Sequence, residues 1–304
     1  MIKVLIIGTG SIARKHYDVL INFKSINEIR FFSNRKNYNY KKISSKKEIL
    51  NFNPDYIIIC TETHKHYKDL KKINNLFTNK KILVEKPLFN KDKKIDFKIK
   101  NKIYVGYQLR YHPIVKKFKE IIKNKNIFFV KACCNTYLPN WRPRRNYSKL
   151  YSAFSKKGGG VLLDLSHEID YLLWIFDDFS IDFSQKLKIS KLNINSDDYA
   201  YVLARFKKNK ILIIQLDYFS KKEKRAIEAS NEKYCFFGDL NKSFYKFTSN
   251  KKKKTKRVNK ILNKELLLKM HKDVLNRTKI KTACTLNEGI KVLNKIKEIN
   301  GARI

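Results

Sequence analysis

Apolar and polar positions alternate along the chain in two textures. Up to about residue 118, short apolar runs are separated by mixed segments with helical spacing. Lys3–Ile7, Ile29–Phe32, Tyr56–Cys60, Lys81–Val84 and Lys102–Gly106 read as strands, with helices at Ser11–Phe23 and around His66–Leu76. Strands that are apolar at nearly every position and alternate with helices predict a parallel sheet covered on both faces. Residues 1–118 are therefore expected to form a doubly wound α/β domain.

Beyond Pro113 the pattern changes. A helix at Ile114–Ile122 leads into a longer strand, Ile127–Tyr137, and then a loop carrying Pro139, Trp141 and Pro143. Gly158-Gly159-Gly160 opens what reads as one amphipathic helix to Phe176. Strand-like segments at Lys186–Leu192, Tyr199–Phe206, Ile211–Tyr218, Arg225–Ala229 and Lys233–Phe237 lie close enough together for an antiparallel meander. Helices at Lys260–Asn276 and Asn287–Ile299 close the pattern, so residues 119–304 are expected to form an α+β domain.

Composition narrows the class. The 304 residues, 43% apolar and 13% aromatic, suit two packed domains. No stretch approaches the roughly 18 consecutive apolar residues of a membrane helix. Val4–Ile7, cut off by Gly8, is too short for a signal-peptide core. The five cysteines (Cys60, Cys133, Cys134, Cys235, Cys284) lack the paired spacing of a zinc site or a disulfide framework. A cytoplasmic protein with reduced thiols and no metal is the expectation. The net charge of +41 raises nucleic acid as a partner, but the lysines are spread along the whole chain. Charge alone gives nonspecific binding, and no recognition helix is visible. The densest basic run, Lys251 to Arg257, reads as a solvated loop. Neither a specific nucleic acid nor a membrane is expected as a partner.

The first strand runs into Gly8-Thr9-Gly10-Ser11-Ile12-Ala13 as a helix begins. Gly8 permits a tight turn, Gly10 lets a dinucleotide pyrophosphate approach the backbone, and Ala13 lets helix and strand pack closely. Free N–H groups at Ser11 and Ile12 would receive the phosphate charge. This pattern predicts a Rossmann cradle for a dinucleotide. After the second strand stand Ser33, Asn34 and Arg35, with no carboxylate for the ribose hydroxyls. A hydroxyl, an amide and a guanidinium suit a ribose phosphate, which favours NADP over NAD.

Further motifs bring a family into view. Glu85-Lys86-Pro87 follows the fourth strand, and Gly158-Gly159-Gly160 precedes Asp164, His167 and Asp170. Together with Thr61–His66, Val105–Pro113 and Cys284–Gly289, this order resembles the glucose–fructose oxidoreductase/inositol dehydrogenase (Gfo/Idh/MocA-like) family. The chain departs from it with Glu62 where proline is usual and Gln108 where asparagine is common. Asp164 and His167 are also three apart rather than four, a spacing that still shares one helix face. The resemblance implies a Rossmann domain followed by an open, mostly antiparallel sheet, a nicotinamide cofactor, and a sugar, cyclitol or nucleotide-sugar substrate in a homo-oligomer. The loop Trp141–Tyr147 looks like a branch associated with bacterial surface-glycan pathways.

On that resemblance, Thr61, His66, Glu85 and Lys86 would contact the cofactor, while Arg110, Trp141 and Arg142 would contact substrate. His167 suits the base that takes a carbinol proton, because histidine titrates near neutrality. Lys86 would stabilise the developing alkoxide, and Asp164 would hold the imidazole or a neighbouring hydroxyl. Two other readings stay open: a cofactor-binding regulatory protein without redox turnover, and an enzyme that uses transient oxidation to cleave a glycoside or eliminate a substituent.

Overall fold

The computed structural model describes residues 1–33, 40–90, 93–207, 209–249, 252–276 and 282–301. Two compact units emerge, one made of Met1–Gln108 with Leu262–Ile290, the other of Leu109–Ile261 with Lys291–Ile304. The return of Leu262–Ile290 to the first unit is the element that a division into two consecutive segments leaves out.

In the first unit the chain runs β1 (Ile2–Ile7), α1 (Ser11–Leu20), β2 (Ile26–Phe32), β3 (Lys42–Ile43), α2 (Lys46–Phe52), β4 (Tyr56–Ile59), α3 (His66–Leu76), β5 (Lys81–Val84) and β6 (Lys102–Val105). The returning segment adds α7 (Asn263–Leu275) and β15 (Cys284–Thr285). The sheet order is β15-β6-β5-β4-β1-β2-β3, parallel except where β15 meets β6. Val4, Leu5, Ile6 and all four residues of β4 are fully buried, as strands covered on both faces must be. Chain order reverses between β1 and β4, so the sheet's switch point lies beside the end of β1.

The second unit holds α4 (Pro113–Asn124), β7 (Phe129–Tyr137), α5 (Val161–Asp164), α6 (His167–Phe176), β8 (Ser180–Leu187), β9 (Tyr199–Phe206), β10 (Lys210–Asp217), β11 (Phe219–Ser230), β12 (Tyr234–Asp239), β13 (Phe244–Ser249) and β14 (Lys252–Arg257). The last helix, α8 (Leu286–Gly301), passes from the first unit into the second at Lys291. The strand order is β14-β13-β12-β11-β7-β10-β9-β8, antiparallel except for the parallel β7–β10 pair. Alternate residues of the central strands (Val130 and Ala132, Val202 and Ala204, Leu212 and Ile214) are buried on one face. The helices cover that face: Phe118 of α4 stacks on Phe236 at 5.7 Å, and Phe176 of α6 stacks on Phe206 at 4.2 Å.

Three expectations change. The single helix after the glycines is two, because Leu165 adopts φ −99°, ψ 23° and the Ser166 hydroxyl bonds back to the Leu163 carbonyl at 2.8 Å. The strand expected at Lys186–Leu192 begins at Ser180, its alternation blurred by half-buried Ile181 and Phe183. The basic run read as a loop supplies β14, paired to β13 along the sheet edge. Lysines on an edge strand discourage further pairing, which makes a charge-rich sequence compatible with a strand there. Among the described residues, no helix is long and apolar enough to cross a membrane. None of their His, Cys, Asp and Glu side chains form a group of three or more that could hold a metal ion.

Candidate functional site

At the end of β1, Gly8 has φ +101°, and a Cβ there would lie 2.8 Å from the Cys60 carbonyl oxygen. Only glycine fits this turn. Gly10 is different. Its φ is −71° and a Cβ would meet no atom within 4 Å, so nothing in the protein requires a glycine. It is the N-cap of α1, which has no side-chain cap and no acidic residue in its first turn. The helix start therefore offers N–H groups and the positive end of the dipole to an anion. A pyrophosphate fits this place, with Ser11 and Ile12 at its edge. Ser33 closes β2 with its hydroxyl 3.2 Å from that of Thr9; Asn34 and Arg35 lie outside the described residues.

The ends of β4 and β5 carry the next group. Thr61 donates its hydroxyl to Asp69 at 2.7 Å. His66, expected at the cofactor, is buried among backbone carbonyls instead: Nδ1 lies 3.0 Å from Pro87 O and Nε2 lies 3.0 Å from Thr61 O. It ties the two loops together, and burial lowers its pKa against the opposing pull of these carbonyls. Lys86 is half-buried, and its backbone N–H points to Glu85 Oε2 at 3.3 Å. A Cβ on Gly106 would come 2.7 Å from Glu85 Oε1, so that glycine makes room for the carboxylate.

Behind Glu85 runs a buried chain that joins α1, β4 and α7. His16 Nε2 is 2.8 Å from Glu85 Oε1, His16 Nδ1 is 2.8 Å from His271 Nε2, and His271 Nδ1 is 2.9 Å from the Tyr56 hydroxyl. His16, Tyr56 and His271 are fully buried. Burial pushes the Tyr56 phenol well above its ordinary pKa and His271 well below. The sign of a pH effect follows. Below the ordinary histidine value of 6.5 the unfolded chain takes up protons that folded His271 and His66 refuse. Their contribution is thus present above that value and is lost as pH falls below it. Denaturant midpoints measured from about pH 7.5 down to about pH 5, across the histidine range, should fall, and fall less in His271→Phe. A midpoint equally steep in that variant would remove His271 as a source.

In the second unit, packing explains two of the three glycines, Gly159 and Gly160. A Cβ on Gly159 would press into the carbonyls of Tyr151 and Ser152, and Gly160, at φ +118°, lies against the Asp197 carboxylate. Asp197 accepts the Leu162 N–H at 3.3 Å and seats α5. Asp164 ends that helix, buried, with Tyr151 donating to Oδ1 at 2.8 Å and Tyr218 to Oδ2 at 2.6 Å. Trp141 meets the Tyr218 ring edge-on at 5.3 Å and donates its indole N–H to Thr136 at 2.8 Å. The charge of Arg142 acts on Tyr151, opposing the burial that raises its phenol. Asp164, Trp141 and Arg142 therefore share one neighbourhood.

His167, only 7% exposed, is the first residue of α6. The shared-face argument for Asp164 and His167 fails, because the break at Leu165-Ser166 separates their helices. Arg110 also changes role. It is 1% exposed, and its guanidinium grips Asp170 of α6 at 2.7 Å through Nη2 and at 3.0–3.1 Å through Nε. A guanidinium committed to a buried carboxylate supports α6 rather than reaching a substrate. Beside it, Glu168 is fully buried and paired with Arg225 at 2.9 Å. Burial raises the neighbouring Cys134 thiol to about 12, which leaves it an inert core residue.

Sequence reasoning missed Tyr151 and Tyr218 at Asp164, and His16 and His271 behind Glu85. One signal was available: His16 falls in register with the buried positions Ala13, Val19 and Leu20 of α1, where an apolar residue would be expected.

An oxidoreductase family with an NAD-binding Rossmann fold matches residues 2–95, and the GFO/IDH/MocA C-terminal domain matches residues 115–239. Among curated proteins there is no sequence match. Solved structures of the same fold include the WlbA dehydrogenase from Bordetella pertussis in complex with NADH and UDP-GlcNAcA. It is 14% identical with a TM-score of 0.79, over 98% of this chain and 94% of that one. UDP-N-acetylglucosamine 3-dehydrogenase GnnA from Acidithiobacillus ferrooxidans is 13% identical with a TM-score of 0.76, over 98% and 96%. A levoglucosan dehydrogenase in complex with NADH is 15% identical, also with a TM-score of 0.76, over 98% and 96%. With both of its domains matched in order, the chain belongs to the Gfo/Idh/MocA family of oxidoreductases and carries that family's NAD-binding Rossmann fold.

Proposed function

We propose that the protein transfers hydride between a nicotinamide dinucleotide and a carbinol carbon of a sugar, cyclitol or nucleotide-sugar, with NADP(H) preferred. The observation that carries this reading is the pair of glycines after β1: Gly8 is required by the fold, whereas Gly10 leaves open space at an uncapped helix start. Sugar and nucleotide-sugar dehydrogenases of the same fold support the substrate class. The bound nicotinamide supplies the hydride chemistry. The protein's part is to remove and return a proton and to hold charge. His167 serves as the base for the carbinol proton, and Lys86 stabilises the alkoxide oxygen. Asp164, its carboxylate held by two phenols, is a positioning group beside the Trp141-Arg142 loop, which receives the sugar. The cysteine usage carries the expectation of a cytoplasmic protein, and the resemblance that of a homo-oligomer, which sedimentation tests.

Fluorescence titration with both dinucleotides tests the cofactor. NADP(H) should bind more tightly than NAD(H), and Arg35→Ala should cost about 1.5–3 kcal/mol of NADP binding, the range of a charged hydrogen bond. Equal or reversed affinity removes the preference. A thermal-shift screen of UDP-sugars with dinucleotide present tests the substrate, since a ligand of the native state raises apparent stability. Dinucleotide binding without turnover of any sugar that binds would favour a regulatory protein instead.

A further inference from the structure

With Tyr56 as the terminal donor, the buried chain from Tyr56 to Glu85 runs in one direction. Tyr56 donates its hydroxyl to His271 Nδ1, His271 Nε2–H donates to His16 Nδ1, and His16 Nε2–H donates to Glu85 Oε1. Every donor then has an acceptor, and the row ends on a carboxylate. Glu85 is only 8% exposed, so an ionised group there needs such support.

Where that carboxylate stands gives it a use. In a doubly wound sheet a dinucleotide lies across the carboxyl ends of the strands at the switch point. Here the pyrophosphate turn follows β1 and the ribose-reading Ser33 follows β2, on one side. The other half of the dinucleotide extends over the ends of β4 and β5, where Thr61 and Glu85 are found. Oxidised nicotinamide carries a positive charge that reduction removes. A carboxylate fixed at that end therefore favours the oxidised form.

We propose that His16 and His271, anchored by Tyr56, are positioning residues that hold Glu85 as an oriented carboxylate and thereby set the protein's relative affinity for oxidised and reduced dinucleotide. This rests on the cofactor reading above and adds to it a role for three fully buried residues. Lys86 adds an opposing charge, so the wild-type ratio is the reference and the change on substitution is the readout.

The test is equilibrium titration of NADP⁺ and NADPH into the wild-type protein, Glu85→Gln, His16→Leu, His16→Gln and the double variant Glu85→Gln/His16→Leu. Glu85→Gln should shift the affinity ratio about tenfold toward the reduced form, the low end of what an opposite charge does to a neighbouring charged group. His16→Leu should shift it in the same direction, and the double variant no further than Glu85→Gln alone. His16→Gln should restore it, because its amide nitrogen can donate where Nε2 did. Glu85→Gln and His16→Gln are close in shape to the native residues, so they decide the matter even if His16→Leu does not fold. Wild-type protein that binds neither form overturns the cofactor reading and the proposal together. Binding with a ratio that Glu85→Gln leaves unmoved overturns the proposal alone, as does a His16→Gln ratio matching Glu85→Gln.

Discussion

His167→Ala is expected to keep dinucleotide binding and to lose turnover by about 10²–10⁴, the usual cost of a positioned acid–base group. Lys86→Ala should lose about 10²–10³, as removal of an oxyanion stabiliser does. On the proposed roles the two residues work as a unit, so the double variant should fall short of the product of the two losses. In the direction of oxidation, the limb of the kcat/KM profile that reports the base should vanish in His167→Ala. Asp164→Asn should do less to turnover and more to stability. Its amide NH₂ cannot accept from a tyrosine, which leaves one of two buried phenols without an acceptor at about 1–3 kcal/mol. His167→Ala with near-normal turnover and an unchanged profile would place the base elsewhere.

The second large effect separates two glycines only one residue apart. Gly10→Val should fold normally, because a Cβ at that position meets no protein atom within 4 Å. It should nonetheless lose dinucleotide affinity by roughly tenfold to a hundredfold, the equivalent of the 1–3 kcal/mol cost of overpacking. Gly8→Ala should instead lose stability, since it forces an L side chain to φ +101° with its Cβ 2.8 Å from the Cys60 carbonyl oxygen, at about 1–3 kcal/mol. Calorimetric titration beside a thermal melt distinguishes the two. A Gly10→Val protein that binds dinucleotide as tightly as the wild type would mean the cradle lies elsewhere.

Apolar periodicity made the parallel sheet legible because β1, β4 and β5 are buried on both faces, and burial leaves a continuous apolar signal. The outer strands were harder. β13 and β14 bury little, and strand β14 is made of lysines, Thr255 and Arg257, so no alternation marks it. The motif residues of the candidate site were readable from spacing, but their neighbours were not. Tyr151 lies 13 residues from Asp164 and Tyr218 lies 54 away, and no local pattern encodes a contact of that reach. Arg110 and His66 show the converse: each stands in a recognisable motif, and each is spent on holding structure.

The return of Leu262–Ile290 to the first unit also constrains how the chain is made. During synthesis the N-terminal strands leave the ribosome first, yet α7 and β15 follow only after the whole of Leu109–Ile261. At about 5–20 residues per second this delay is on the order of ten seconds or more. Until then β6 keeps an open edge without its partner Cys284-Thr285, and His16 has no His271 beside it. The nascent first unit is thus a sheet with an open edge and an uncovered polar row, the kind of surface that chaperones bind. Chains terminated shortly before Asn263 should be recovered as aggregates rather than as a working half.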